Sequence, residues 1–230
     1  LLKPTKAKYK SSGLTWLGSA VRSNSMAAVR ADSGVKTWKD LLTKEVPFAS
    51  SGLGSQTYQI PALINGLLGT KIKIVKGYKG SSRMLAAMER GEAEGTTIGW
   101  AALKKRKAHL LRDKKVDVFF FMGYERNPDL PNIPTLIETA PTEEAKKIFR
   151  LLTSREVVGR NFNAPPGIPA KAGAALRLGF NRMIKDKAFL EDINKRGIEI
   201  SPMSGAKLQK VVEEVMATDA ALAKKLKWAT

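Results

Sequence analysis

The sequence has no cysteine and only one histidine, His109, among its 230 residues. Without thiols it can form no disulfide framework, no cysteine-rich zinc site and no thiol nucleophile, and one imidazole excludes a multi-histidine metal site. Long hydrophobic runs are missing too. No apolar stretch reaches the ~18 residues of a membrane-spanning helix. The most apolar run, Val116 to Met122, has the length of a buried strand. Acidic residues are scarce: 21 Asp+Glu stand against 40 Lys+Arg, a net charge of +19. Such a surplus points to a polyanion, an anionic membrane surface or small anionic ligands, and says nothing of fold.

What remains is ordinary for a soluble globular chain, with 43% hydrophobic and 27% charged residues. The length suits one large domain or two small ones with a real core. The basic start, with Lys3, Lys6, Lys8 and Lys10, is followed by no apolar segment and is not a signal peptide. The first residue is not Met, so the chain reads as a processed form or a fragment.

Strands are expected at Met26–Ala31, Val46–Ala49, Lys71–Val75, Ala93–Ile98 and Val116–Met122. Between them a short helix follows Thr37, whose spacing to Asp40 resembles a capping box. Further helices run through Ile60–Leu68 (ended by Gly69), Met84–Met88 (ended by Gly91) and Trp100–Leu111. Strand–loop–helix repeated with short links predicts a mainly parallel sheet covered on both faces. Asn127–Pro134 carries three of the 11 prolines and reads as a domain crossing. Beyond it, helices are expected at Glu143–Leu152, Ala170–Ile184, Ala188–Lys195 and from Gly205. Strands are expected at Gly159–Asn163 and Ile198–Ser201.

Two loops stand out, Ser50–Ser55 and Gly77–Ser82, each after a predicted strand and before a helix. Ligands of open α/β sheets bind at such strand ends. Glycine lets backbone approach a ligand, the next helix offers free N–H groups to an anion, and serine adds hydroxyl donors. Neighbouring loops of this kind would make a carboxylate-sized cradle. The alternative is that these residues only make tight turns and N-caps. Phe48, Ile74 and Val118 are expected on adjacent strands, with the loops side by side.

Other motifs fail on spacing. Gly52-Leu53-Gly54 opens a dinucleotide fingerprint whose third glycine position is Thr57, and in Gly77-Tyr78-Lys79-Gly80-Ser81 the lysine precedes the second glycine, unlike a P-loop. His109 lies in a basic stretch, where a solvated imidazole is expected rather than a triad member. Glu89, Glu92 and Glu94 are scattered by a helix end and a strand. Trp16, Trp38 and Trp228 read as packing residues, whereas Trp100, at a strand end, is a candidate ligand platform. Tyr78 and Lys79 could reach a bound acid. Lys104–Lys115 holds seven cations against Asp113, seven minus one or +6. It reads either as a nucleic-acid patch or as the solvated face of an amphipathic helix beside Leu103, Leu110 and Leu111.

Seven segments in order resemble one family. Thr15-Trp16-Leu17-Gly18 is similar to its "WIG" segment. Val29–Ser33 followed by Lys36–Leu41 is similar to "VRADS…KTxxDL". Ser50–Ser55 is similar to "SSGxGS", Gly77–Gly80 to "xYKG", Glu89–Gly95 to "xxGEVDG", Asp129–Leu136 to "DLPDVPTL" and Ala164–Pro169 to "APxGxP". On these segments the chain resembles the substrate-binding proteins of tripartite tricarboxylate transporters, the Bug or TctC-like family. Histidines often follow "SSGxGS" in that family, where Thr57 and Tyr58 stand here.

The resemblance implies an α/β, two-lobed type II periplasmic binding-protein-like fold. Residues 35–140 would form the lobe with the ligand loops, and 1–34 with 141–230 the other. The family's first ligand loop and signal peptide precede "WIG", so the chain reads as N-terminally truncated, with one lobe incomplete. The implied protein is a periplasmic monomer, not an enzyme, without catalytic residues, metal or cofactor. It captures a small carboxylate between its lobes and delivers it to integral-membrane permease subunits. Carried over residue by residue, the site comprises Ser51, Gly52, Gly54, Ser55, Tyr78, Lys79, Gly80 and Ser81, with Thr97 and Trp100 added. The rival functions are a basic polyanion or nucleic-acid binder acting through Lys104–Lys115, with a steep salt dependence, and a small-molecule enzyme, for which no base–nucleophile pair is present.

Overall fold

The computed structural model describes residues 11–21, 23–196, 198, 200–219 and 221–222. The basic N-terminal stretch and Trp228 lie outside the described residues, as does part of the strand expected at Ile198–Ser201. In chain order the elements are β1 (Thr15–Ser19), β2 (Ser25–Arg30), β3 (Val46–Ser50), α1 (Gln56–Leu68), β4 (Ile72–Lys76), α2 (Ser81–Glu89) and β5 (Gly95–Gly99). Then come α3 (Trp100–Arg106), α4 (Ala108–Arg112), β6 (Val116–Met122), α5 (Glu143–Val158), β7 (Asn161–Ala164), α6 (Ala170–Met183), α7 (Lys187–Lys195), β8 (Met203–Ser204) and α8 (Gly205–Met216). Short 3-10 turns occupy Ser11–Gly13, Trp38–Leu42 and Leu136–Thr139. Among the described residues no helix is long and apolar enough to cross a membrane.

The chain forms two compact units. One spans Asn24–Leu152; the other takes the described residues up to Ser23 and from Thr153 onward. The divisions therefore fall at 23/24 and 152/153, not at the expected 34/35 and 140/141. β2 accounts for the first difference, because it is hydrogen-bonded into the sheet of the larger unit. Nor is Asn127–Pro134 a crossing. It lies inside that unit, where Phe121 N–H donates to the Pro134 carbonyl at 3.0 Å and Arg126 pairs with Glu138 at 2.7 Å.

The sheet of the larger unit has the order β4-β3-β5-β2-β6. β3 runs parallel to β4 and β5, while β2 runs antiparallel to both its neighbours. The sheet is mixed, a correction to the mainly parallel sheet expected. β2 is joined to β3 by a turn and a 3-10 helix rather than a crossover helix, so β3 returns in the opposite direction, and β5, parallel to β3, meets β2 antiparallel. Phe48 pairs directly with Ile74. Val118 pairs with Ala28 instead, on an edge strand separated from β3 by β5 and β2.

Both faces of this sheet are covered. On one face Ala49, Ile98, Met26 and Phe121 pack with Met84 and Leu85 of α2 and Leu103 of α3. On the other, α1 buries Ile60, Leu63 and Ile64. There Phe48 lies so close over Gly95 that a Cβ at Gly95 would sit 2.2 Å from its ring. α1 ends as the sequence suggests, with Gly69 in the left-handed region (φ 75°) donating to the Asn65 carbonyl at 2.9 Å. The Asp40 carboxylate accepts the Thr37 N–H at 2.8 Å, closing the expected turn. The helix expected over Trp100–Leu111 is broken at Lys107, whose backbone (φ −138°, ψ 39°) leaves the helical region.

In the smaller unit, β1 pairs antiparallel with β7 and β8. α6 and α8 pack on β1. β1 was not expected, and a strand at Met203–Ser204 stands in place of the one expected just before it; Ile198, Ile200 and Ser201 are not in a strand. Close backbone approach shapes this unit. A Cβ on Gly205 would lie 2.3 Å from the Trp16 carbonyl oxygen.

Candidate functional site

The sheet places both glycine–serine loops together. β3 and β4 are parallel neighbours, so the loops after them leave the same edge of the sheet. Tyr78 N–H donates to the Ser50 carbonyl at 3.1 Å and ties the second loop to the root of the first. β5 runs parallel to β3, so Gly99 ends at that edge as well.

The first loop is organised by Thr57, in the first turn of α1. Its Oγ1 lies 3.0 Å from the Ser51 N–H, 2.8 Å from Ser55 Oγ, and 3.2 Å from both Ser50 Oγ and Ser51 Oγ. The sequence reading took Thr57 as a departure from the family pattern and missed this role. The available signal was a hydroxyl in the helix's first turn, where it faces back to the preceding strand. Ser55 corrects another reading. It occupies the N-cap position, but its hydroxyl does not cap the helix; it donates to the Gly52 carbonyl at 2.6 Å. The first N–H groups of α1 therefore carry no side-chain cap from Ser55. Gly54 is exposed, its φ is not positive, and a Cβ there would meet nothing within 4 Å. Glycine is thus required at that place by nothing in the loop itself.

The second loop behaves differently. Gly80 caps α2 with φ 85° and ψ 160°, a backbone state that needs glycine. Ser81 begins the helix, and Lys79 is exposed. Tyr78 is half-buried and packs against the core of the unit. An unexpected group joins this loop. Arg106, from the end of α3, directs its Nη1 to Ser82 Oγ at 3.2 Å and Ser81 Oγ at 3.4 Å.

Thr97 and Trp100 do not share the loops' exposure. Thr97 is 2% exposed, on the strand next to β3, and its hydroxyl has no partner among the described residues. Trp100 enters the core edge-on to Phe121, and its indole N–H is used by Asp129 at 2.8 Å. It is a packing residue rather than a platform. Lys104 holds Asp129 below the usual carboxylate range, assisted by that indole.

The basic stretch is partly neutralised by its own surroundings. Lys104 pairs with Asp129 at 2.6 Å, Lys107 with Glu89 at 2.5 Å and Arg112 with Asp113 at 2.9 Å. His109 lies 2.7 Å from the same Glu89, whose carboxyl is lowered first by Lys107 and then by the imidazole. Lys104, Lys105 and Arg106 are exposed, and Lys107 is half-buried against Glu89. Among the described residues no group of three His, Asp or Glu is arranged to hold a metal ion.

No sequence model of a known family matches the chain, and no curated protein matches it. Solved structures do. A TctC solute-binding protein from Polaromonas, without ligand, superposes with a TM-score of 0.71 at 15% identity, over 95% of this chain and 72% of that one. A protein of R. palustris with adipate gives 0.54 at 22% identity, over 96% and 70%. MatC from Rhodopseudomonas palustris with bound malate gives 0.53 at 18% identity, over 96% and 72%. With its two compact α/β units, the chain has the fold of TctC and related periplasmic solute-binding proteins.

Proposed function

We propose that the chain is the substrate-binding protein of a tripartite tricarboxylate transporter. It binds a small organic acid outside the cytoplasm, as a monomer in the periplasm, and presents it to membrane permease subunits. The observation that carries the reading is the tie between Tyr78 and Ser50, which sets two glycine–serine loops side by side at one sheet edge. A carboxylate there meets backbone N–H groups at the starts of α1 and α2, hydroxyls of Ser51 and Ser81, and the charges of Lys79 and Arg106, while Ser55, bonded to the Gly52 carbonyl, shapes the first loop. Charge-assisted hydrogen bonds of this kind are about twice as strong as neutral ones. Gly52, Gly54 and Gly80 keep the backbone open to the ligand. Thr97 is buried on β5, the strand beside β3; Tyr78 positions the second loop. The solved relatives with adipate and malate support a carboxylate as the ligand class. The chemistry is binding alone, with no reaction to catalyse.

Two measurements test this. Mass spectrometry of small molecules released from the natively purified protein is expected to find a carboxylic acid. Calorimetry with that acid is then expected to show Gly54→Val weakening binding at least about tenfold, ~1.4 kcal/mol, with the unliganded melting temperature unchanged. Ser55→Ala should weaken binding less. Wild-type affinity in the double variant would remove this loop from the ligand site.

A further inference from the structure

A cavity lies at the opposite edge of the same sheet from the two loops. β2 runs against β5, so Arg30 at its end sits beside the start of β5, where its N–H donates to the Glu94 carbonyl at 2.7 Å. Between this end of β2, the end of α2 and the turn from α4 into β6, a cavity of about 580 Å³ opens. That is within the roughly 300–1,000 Å³ of small-molecule sites. Its floor is apolar: Met88, Leu110 and Val116 are all buried. Its rim is cationic, with Arg30, Lys114 and Lys115.

The acids of the cavity are already engaged. Asp32 is gripped by Arg30, whose Nε reaches it at 2.8 Å, and Glu89 is held by Lys107 and His109. Asp113, next in sequence to Lys114, is paired with Arg112. Lys114 and Lys115 make no ion pair among the described residues. Lys114 is also the one non-glycine residue among them in the left-handed region, at φ 50°. It follows the end of α4, where glycine would adopt that conformation freely. Strain kept at a lysine on a cavity rim argues that its amine is used.

We propose that this cavity binds a small organic anion with an apolar body, such as a medium-chain monocarboxylate. The carboxylate sits between Lys114 and Lys115, and the hydrocarbon lies on Met88, Leu110 and Val116. Arg30, pinned by Asp32 and by the Met88 carbonyl at 3.2 Å, walls the polar end. The proposal is independent of the two glycine–serine loops.

The test is an NMR titration of the isotope-labelled chain with octanoate. Saturable shifts are expected at the amides of Ala31 and Lys114–Val116 and at the Met88 methyl group. Lys114→Gln with Lys115→Gln should weaken binding at least about tenfold, and Lys114→Arg with Lys115→Arg should retain it. Octanamide, with the same chain and no charge, should bind the unmodified protein at least about tenfold more weakly. Absence of saturable shifts at these residues, shifts confined to residues 51–55 and 77–82, or octanamide binding as tightly as octanoate would each overturn the proposal.

Discussion

Thr57→Val isolates the hub of the first loop, because valine keeps the shape of threonine and removes only the hydroxyl. A hydroxyl has one proton and two acceptor sites. Ser55 Oγ already donates to Gly52, so Thr57 donates to Ser55 and accepts from the Ser51 N–H. One acceptor site remains for Ser50 or Ser51. Ser51 is exposed and has water; Ser50 is 0% exposed, with Thr57 as its hydroxyl partner. Losing the Ser55 bond costs about 0.5–1.5 kcal/mol, and stranding the Ser50 hydroxyl costs about 1–3 kcal/mol. The expected loss is about 1.5–4.5 kcal/mol, read from the urea midpoint at constant slope. In a Ser50→Ala background the stranded hydroxyl is gone, and the same substitution should cost only about 1 kcal/mol. A loss below about 0.5 kcal/mol, or an equal loss in both backgrounds, would refute the hub.

Three further outcomes are expected. Gly95→Ala drives a methyl group into the Phe48 ring and should cost about 1–3 kcal/mol; an unchanged urea midpoint would show that the ring can move aside. Glu138 is lowered from 4.5 to about 2, chiefly by Arg126 and also by the Thr135 N–H and hydroxyl. Its stabilisation is therefore complete above 4.5 and lost as pH falls toward 2, so Glu138→Gln should flatten the acid limb of the stability curve in that window; an acid limb identical to wild type would count against it. Arg106→Gln should weaken carboxylate binding and Lys105→Gln should not, because only Arg106 reaches the second loop; equal effects in calorimetry would mean that the charge acts through the general field instead.

Local signals were readable where local chemistry decides. The Gly69 stop of α1, the Thr37–Asp40 turn and the two loops after strands all lie within a few residues of their causes. Strand direction does not. β2 pairs with segments about 70 and 90 residues away, and its alternation is the same whichever way it runs. β1 stayed hidden for a similar reason, since its partners β7 and β8 are far along the chain. In the site, the sequence showed a cluster of hydroxyls but not which of them stood at the centre. That depends on where the first turn of α1 points after the strand. Trp100 was misread because its burial is set by Phe121 and Asp129, both distant in sequence.

The proline-rich segment after β6 carries neither helix nor strand before Leu136, yet it is fastened along its length. Asp129 takes both the Trp100 indole and the Lys104 amine, Arg126 clasps Glu138, and Thr135 lies in a parallel bridge to Phe121. Irregular backbone is not the same as loose backbone. A protease needs a stretch that can be drawn out into its cleft, and an inserted sequence needs ends that can part. This segment offers neither without unpinning a core tryptophan. Anyone tagging, nicking or permuting the chain would find the prolines, which first look like the natural seam, a poor place to begin.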